Sequence, residues 1–191
     1  MEGTQGELFS SVSELRLAQI LLADLHDNLG DRVARFRYLH DISSTLGAYG
    51  TMIPGGETAA TAWFEARSSF VSGNFIATIL LAQGLAEHVL AAEVSMGLSE
   101  VELPKRISFS QTLELCAERG FLPDDLLTDL RRLMALRNPL SHFRDINDPE
   151  NLSRRIMDSR QSAEMHLFND AAFAIGVTVR MLSLRPFRVD R

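Results

Sequence analysis

The sequence predicts an all-α protein, a helical bundle of about seven segments, on three observations. Apolar residues recur at every third or fourth position along most of the chain. No segment alternates apolar and polar residues with the period of two that marks a half-buried strand. Short clusters of Gly, Pro, Asn and Asp fall between the periodic stretches, where helices stop and start. The 191 residues are 46% hydrophobic and 23% charged, ordinary values for a folded chain, and fit one domain spanning 1–191 with no internal repeat.

The first helix is expected from Glu7 to Asn28, with Leu8, Val12, Leu15, Ala18, Leu22 and Leu25 on its apolar side and Asn28-Leu29-Gly30 as its stop. Asp31 can cap a second helix to about Tyr49, carrying Val33, Phe36, Leu39, Ile42 and Leu46 on one face. Gly50 to Glu57 contains Pro54-Gly55-Gly56 and reads as a turn, because it lacks the Lys and Ser/Thr of a phosphate-binding loop. Thr58 to Val71 forms a third helix, broken at Ser72-Gly73, and Asn74 can cap a long fourth ending near Met96-Gly97. That stretch is the most apolar in the chain. Thr78, Gln83, Glu87, His88 and Glu93 interrupt it, which suits a buried core helix rather than a membrane span.

A polar connection from Leu98 to Ser108 holds Pro104, and a short helix follows from Phe109 to Arg119, stopped at Gly120. Pro123-Asp124-Asp125 opens the next helix, since Pro and acidic residues suit a first turn. Leu126, Leu127, Leu130, Leu133, Met134 and Leu136 form its buried stripe, and it is expected to end near Arg137. Asn147-Asp148-Pro149 marks a loop. Asn151 or Ser153 then starts a last long helix to about Leu184, and Pro186 prevents its continuation.

A net charge of -6 argues against nonspecific coating of nucleic acid or anionic membrane. Of the 19 basic residues only Lys105 is not Arg. Cys116 is the single cysteine, so no intramolecular disulfide and no cysteine metal site is available, which favours a reducing compartment. Its neighbours Leu113, Leu115 and Ala117 point to a buried, inert thiol. Met1 to Glu7 is polar and acidic, unlike a signal peptide, so a cytoplasmic protein is expected. Asp24, His26 and Asp27 do not converge on one helical face, so no metal is expected, and no cofactor either.

One segment carries sharper chemistry: Leu136-Arg137-Asn138-Pro139-Leu140-Ser141-His142. Asn followed by Pro is a helix-start signature, with Asn138 as cap and Pro139 in the first helical position. On one uninterrupted helix Arg137 and His142 would lie roughly 140° apart. A break at Asn138 lets Arg137 fold back toward His142, gathering a cation, an amide, the Ser141 hydroxyl and an imidazole. His142 would then sit in a first helical turn, where the dipole opposes an imidazolium, leaving a neutral general base beside a phosphate-holding Arg. Chance alone gives about half a hit for Arg and His at any one fixed spacing in this composition. Arg35 to His40 and Arg160 to His166 are such decoys, both expected in mid-helix.

The segment resembles the Arg-x(4–6)-His motif of HEPN domains. Ala82-Gln83-Gly84-Leu85-Ala86-Glu87 looks like that family's early core helix with its acidic residue, Asp124 to Leu136 like the helix ending at the motif, and Asn169-Asp170-Ala171-Ala172-Phe173-Ala174-Ile175 like its closing helix. The resemblance implies an up-and-down helical bundle whose core spans 57–184, with 1–50 as an N-terminal helical extension. It also implies a metal-independent endoribonuclease, often a toxin paired with an antitoxin, in which two protomers bring both Arg/His sets to one cleft. Arg137 and His142 would be catalytic. Asn138 and Ser141 would position substrate, and Glu87 would orient Arg137. Arg144, Arg154 and Arg155 are candidate contacts to RNA.

Other members of the family are noncatalytic scaffolds. Gly73-Asn74-Phe75-Ile76-Ala77-Thr78 and Gly120-Phe121-Leu122-Pro123-Asp124-Asp125 look like stretches of mannitol operon repressor-type helical proteins. The competing reading is therefore a noncatalytic interaction module or transcriptional regulator, in which Arg137 and His142 are structural.

Overall fold

The computed structural model describes residues 13–96 and 106–189. Among these residues it contains eight α-helices and no strand, so the protein is an all-α bundle. The expected helix start at Glu7, and the connection from Leu98 through Pro104 and Lys105, lie outside the described residues.

Helix α1 (Glu14–Asp27) is capped by Ser13, whose Oγ accepts from the Arg16 N–H at 3.3 Å. The expected stop at Asn28-Leu29-Gly30 is only a bend. Asn28 stays in the right-handed helical region (φ -96°, ψ -2°), donates its N–H to Asp24 O at 3.2 Å and accepts from Arg32 N–H at 3.0 Å. Helix α2 (Leu29–Ser43) therefore starts two residues before Asp31, which is a first-turn acid rather than the cap. A short 3-10 turn, Ser44–Leu46, ends this part of the chain.

Helices α3 (Gly56–Ser72) and α4 (Phe75–Met96) are antiparallel, joined by the two-residue turn that Gly73-Asn74 suggests. Gly73 adopts φ 84°, a left-handed cap that costs a Cβ-bearing residue strain. Near the start of α3, a Cβ on Gly55 would lie 3.0 Å from the His88 carbonyl oxygen, so the absence of a side chain lets the loop cross α4. By length and composition α4 is apolar enough to cross a membrane. Here it is the centre of the bundle: α3, α8, α6 and α5 pack on it, and Ile79, Ala82, Leu85, Ala86, Val89 and Leu90 are fully buried.

Helix α5 (Phe109–Glu118) opens with a capping box, in which Ser108 and Gln111 satisfy each other's N–H groups. Helix α6 (Asp124–Ser141) buries Leu126, Leu127, Leu130 and Leu133. The expected last long helix is two: α7 (Leu152–Ser159) and α8 (Ala163–Leu182). Arg160 breaks it in the left-handed region (φ 59°, ψ 20°), and Ser162 caps α8 by accepting from Met165 N–H at 3.2 Å. The reason lies in the run Asp158-Ser159-Arg160-Gln161-Ser162. It has no apolar side chain to hold a helix on the core, and it ends in a good N-cap. Arg180 on α8 bonds Asp129 at 2.9 Å and also Asp125, which holds the Asp125 carboxyl below its ordinary range. An isolated bridge, Thr51 with Arg188, ties the C-terminal residues beside the start of α3.

Candidate functional site

Two clusters meet at the C-terminal end of α6. The first is the predicted segment, and its geometry differs from expectation. There is no break at Asn138-Pro139: α6 runs through Pro139 to Ser141. Proline lacks the N–H that the Ala135 carbonyl would take, but Pro139 sits in the last turn, where few ladder bonds remain to be lost. Leu136 and Leu140 pack against the core on either side and hold the turn. Asn138 is thus a helical residue and not a cap. His142 is the C-cap, extended (φ -131°, ψ 139°), and donates its N–H to Asn138 O at 3.0 Å. It lies at the negative end of a helix dipole and not at the positive end.

The side chains follow from this. Arg137 is half-buried, and among the described residues nothing accepts a hydrogen bond or pairs with its guanidinium. His142 is exposed and its ring is likewise unengaged. Ser141 turns back on the helix, its Oγ donating to Arg137 O at 3.2 Å and Asn138 O at 3.3 Å. Glu87 does not orient Arg137: its carboxylate accepts from Gln83 Nε2 at 2.8 Å, within α4.

The second cluster was not foreseen as a unit. Arg155 on α7 bonds Asp170 on α8 through both guanidinium nitrogens, at 2.7 and 3.1 Å, and Asp170 is buried. The same guanidinium lies 3.4 Å from His166 Nδ1, while His166 Nε2 lies 2.7 Å from Ser159 Oγ. Ser159 Oγ lies 2.7 Å from the Arg155 carbonyl and accepts from Gln161 N–H at 3.2 Å. One assignment satisfies every contact. Arg155 donates to Nδ1, Nε2–H donates to the serine oxygen, and the serine hydroxyl donates to the carbonyl. In that tautomer the imidazole has no free lone pair for the serine proton, so the pair is a latch between α7 and α8, not an activated nucleophile. Arg160 and His166 therefore flank the interhelical break rather than sharing one helix. The signals available in the sequence were the polar run 158–162 and the acid Asp170 on an otherwise apolar helix.

A cleft of about 280 Å³ separates the clusters, lined by Arg132, Leu136, Pro139, Glu150, Arg155 and Asp170 among others. Neither Arg137 nor His142 lines it. The other two arginines considered for RNA are also paired: Arg154 Nε bonds Asp158 at 2.9 Å, and Arg144 lies 3.5 Å from Asp148. Exposed pairs of this kind are weak and a phosphate can compete for them, whereas the Arg155 fork is occupied in a buried site.

Elsewhere, Cys116 is fully buried and burial pushes its thiol up to about 11, so it is no nucleophile at neutral pH. His26 pairs with Asp27 at 3.5 Å on an exposed helix end. Among the described residues no three His, Cys, Asp or Glu side chains gather as a metal site would require. No family model matches the chain, and neither a curated protein nor a solved structure is significantly similar to it.

Proposed function

We propose that the end of α6 is an RNA-cleaving site of the HEPN type, metal-independent, with Arg137 and His142 as its working groups and two copies completing one cleft. The observation that carries the reading is the Arg137 side chain, half-buried and with its guanidinium unpaired among the described residues, five residues before an unengaged imidazole. A guanidinium with no protein acceptor is open to an incoming anion, and its planar fork suits a phosphate. In the reaction the ribose 2′-oxygen attacks phosphorus and the 5′-oxygen leaves. His142 takes the 2′-proton or supplies one to the leaving oxygen, and Arg137 stabilises the charge on the phosphoryl oxygens. In this reading Asn138 positions substrate. Ser141 is a weaker candidate, because its proton is held by the helix backbone.

The test is RNA cleavage in chelator. The wild type is expected to leave 2′,3′-cyclic phosphate ends and to spare DNA. His142→Ala is expected to lose about 10²–10⁴ in rate. Arg137→Lys is also expected to fail, since a point charge replaces a fork. Cleavage that survives His142→Ala, or that needs magnesium, overturns the mechanism.

A second reading, a noncatalytic interaction module, is favoured by one observation: α1 buries none of its residues yet is rich in leucine. Absence of any RNA cleavage by the wild type leaves this reading standing alone.

A further inference from the structure

Helix α1 should not be stable as it stands. It has 14 residues, none buried, and isolated helices of about that length are marginal in water. Its leucines are not scattered. Leu15, Leu22 and Leu25 continue across the Asn28 bend into Leu29, Val33 and Phe36 of α2, with Ala18 as the one small member. Every spacing is three or four, with two fours in succession across the bend, which is the seam of a helix that packs along another helix. All six large members are exposed, Leu15 by 70%, Leu22 by 64% and Phe36 by 59%. The side of α2 turned to the bundle is already used, with Leu39 buried and Arg35 Nε bonded to the Val71 carbonyl at 2.9 Å.

We infer that this stripe is a docking surface for a second copy of the chain, whose own α1–α2 arm lies along it in the antiparallel sense. Two arguments select that occupant. The stripe is nearly palindromic about Leu25. Run antiparallel, Leu22 meets the partner's Leu29, Ala18 meets the partner's Val33, and Leu15 meets the partner's Phe36. Each of the six large side chains is at least 38% exposed, so two arms laid together would withdraw a continuous apolar seam from water. A bilayer is a poor occupant. The polar side of α1 carries Asp24 and Asp27 with Arg16 as its one fixed cation, whereas helices that lie on anionic membranes have a basic face. The contact is on α1 and α2 and does not depend on the RNA-site reading; where both hold, this arm is the contact that joins the two copies, and their α6 ends meet only through it.

Light scattering on the full chain at about 50 µM tests it. The wild type is expected at twice the chain mass of 21.3 kDa, and Leu22→Glu/Leu25→Glu at the single mass. Circular dichroism is expected to fall in the variant by no more than the helicity of α1, with the rest of the bundle still melting cooperatively, because neither side chain is buried. Leu25→Cys should form a disulfide-linked dimer on mild oxidation, while Phe64→Cys, more exposed but off the arm, should not. A monomeric wild type, a dimer that survives the double substitution, or failure of Leu25→Cys to cross-link each overturns the inference. So does flotation of the wild type with vesicles of phosphatidylcholine and phosphatidylserine.

Discussion

Two half-buried arginines, Arg155 and Arg137, flank one end of the bundle and are treated oppositely by their surroundings. Arg155 meets a buried carboxylate in a two-point fork, and its neighbours His166 and Ser159 complete a closed network of donors and acceptors. Arg137 meets nothing of the kind among the described residues. Among the described residues the fold answers one guanidinium completely and leaves the other unanswered, and the first of them fastens two helices together. Arg155 joins α7, which buries no residue of its own, to the bundle. Arg137 sits where α6 ends, and among the described residues its guanidinium joins no other element.

The contrast can be broken most forcefully at Arg155. Arg155→Met leaves the buried Asp170 carboxylate unpaired, and removing one partner of a buried pair costs about 3–5 kcal/mol. Urea denaturation should report that loss, and α7 should become protease-sensitive first. A cost below about 1 kcal/mol would mean that the pair is not what holds α7. Asp170→Asn should cost less, about 2 kcal/mol, because the Arg155 side chain is 27% exposed and can turn its stranded guanidinium to water. The double substitution Arg155→Met/Asp170→Leu should recover most of the combined loss, and an additive outcome would show that the two residues do not act as a pair.

Pro139 tests the boundary between the two regions. Pro139→Ala restores the N–H that the Ala135 carbonyl lacks. In the last turn this should stabilise the protein by about 1 kcal/mol, well short of the ~3 kcal/mol of a mid-helix proline. A thermal melt checks the sign. Destabilisation would mean that Pro139 shapes the cleft it lines by more than its backbone effect.

The same contrast explains what the sequence could disclose. The turns at Gly73-Asn74 and Gly120, the Ser108 start of α5 and the buried character of α4 were all legible, because caps and apolar periodicity are local. Two junctions were not. Asn138-Pro139 has the look of a helix start, yet Leu136 and Leu140 pack against the core and hold α6 through it, an effect of tertiary contacts that no dipeptide reports. Arg160 adopts a left-handed conformation rare outside Gly, Asn and Asp, so the end of α7 carried no residue signal of its own. The candidate site was legible in composition but not in arrangement. Arg137 and His142 could be picked out. The contacts of Glu87 with Gln83, Arg144 with Asp148 and Arg154 with Asp158 join residues four apart, whereas the Arg155 fork to Asp170 depends on how α7 lies against α8.

The smallest expected change is the most diagnostic one. Arg137→Met removes a guanidinium that has no described partner, so no carboxylate or carbonyl is stranded, and the methionine keeps the length of the aliphatic stem. Stability in low-salt buffer should stay within about 0.5 kcal/mol of wild type, the usual range for a substitution that breaks no contact. A difference should appear when phosphate is added. If Arg137 is held for an anion, phosphate raises the melting temperature of wild type by mass action on the folded state, and raises that of Arg137→Met less. Arg155→Met, corrected for its own lower starting point, should still show the wild-type response, because its fork is occupied by Asp170 in the folded protein. Equal phosphate responses in wild type and Arg137→Met would remove the distinction between the two arginines. A loss above about 1.5 kcal/mol in Arg137→Met without phosphate would make Arg137 a structural residue, since a cost that large needs a broken contact.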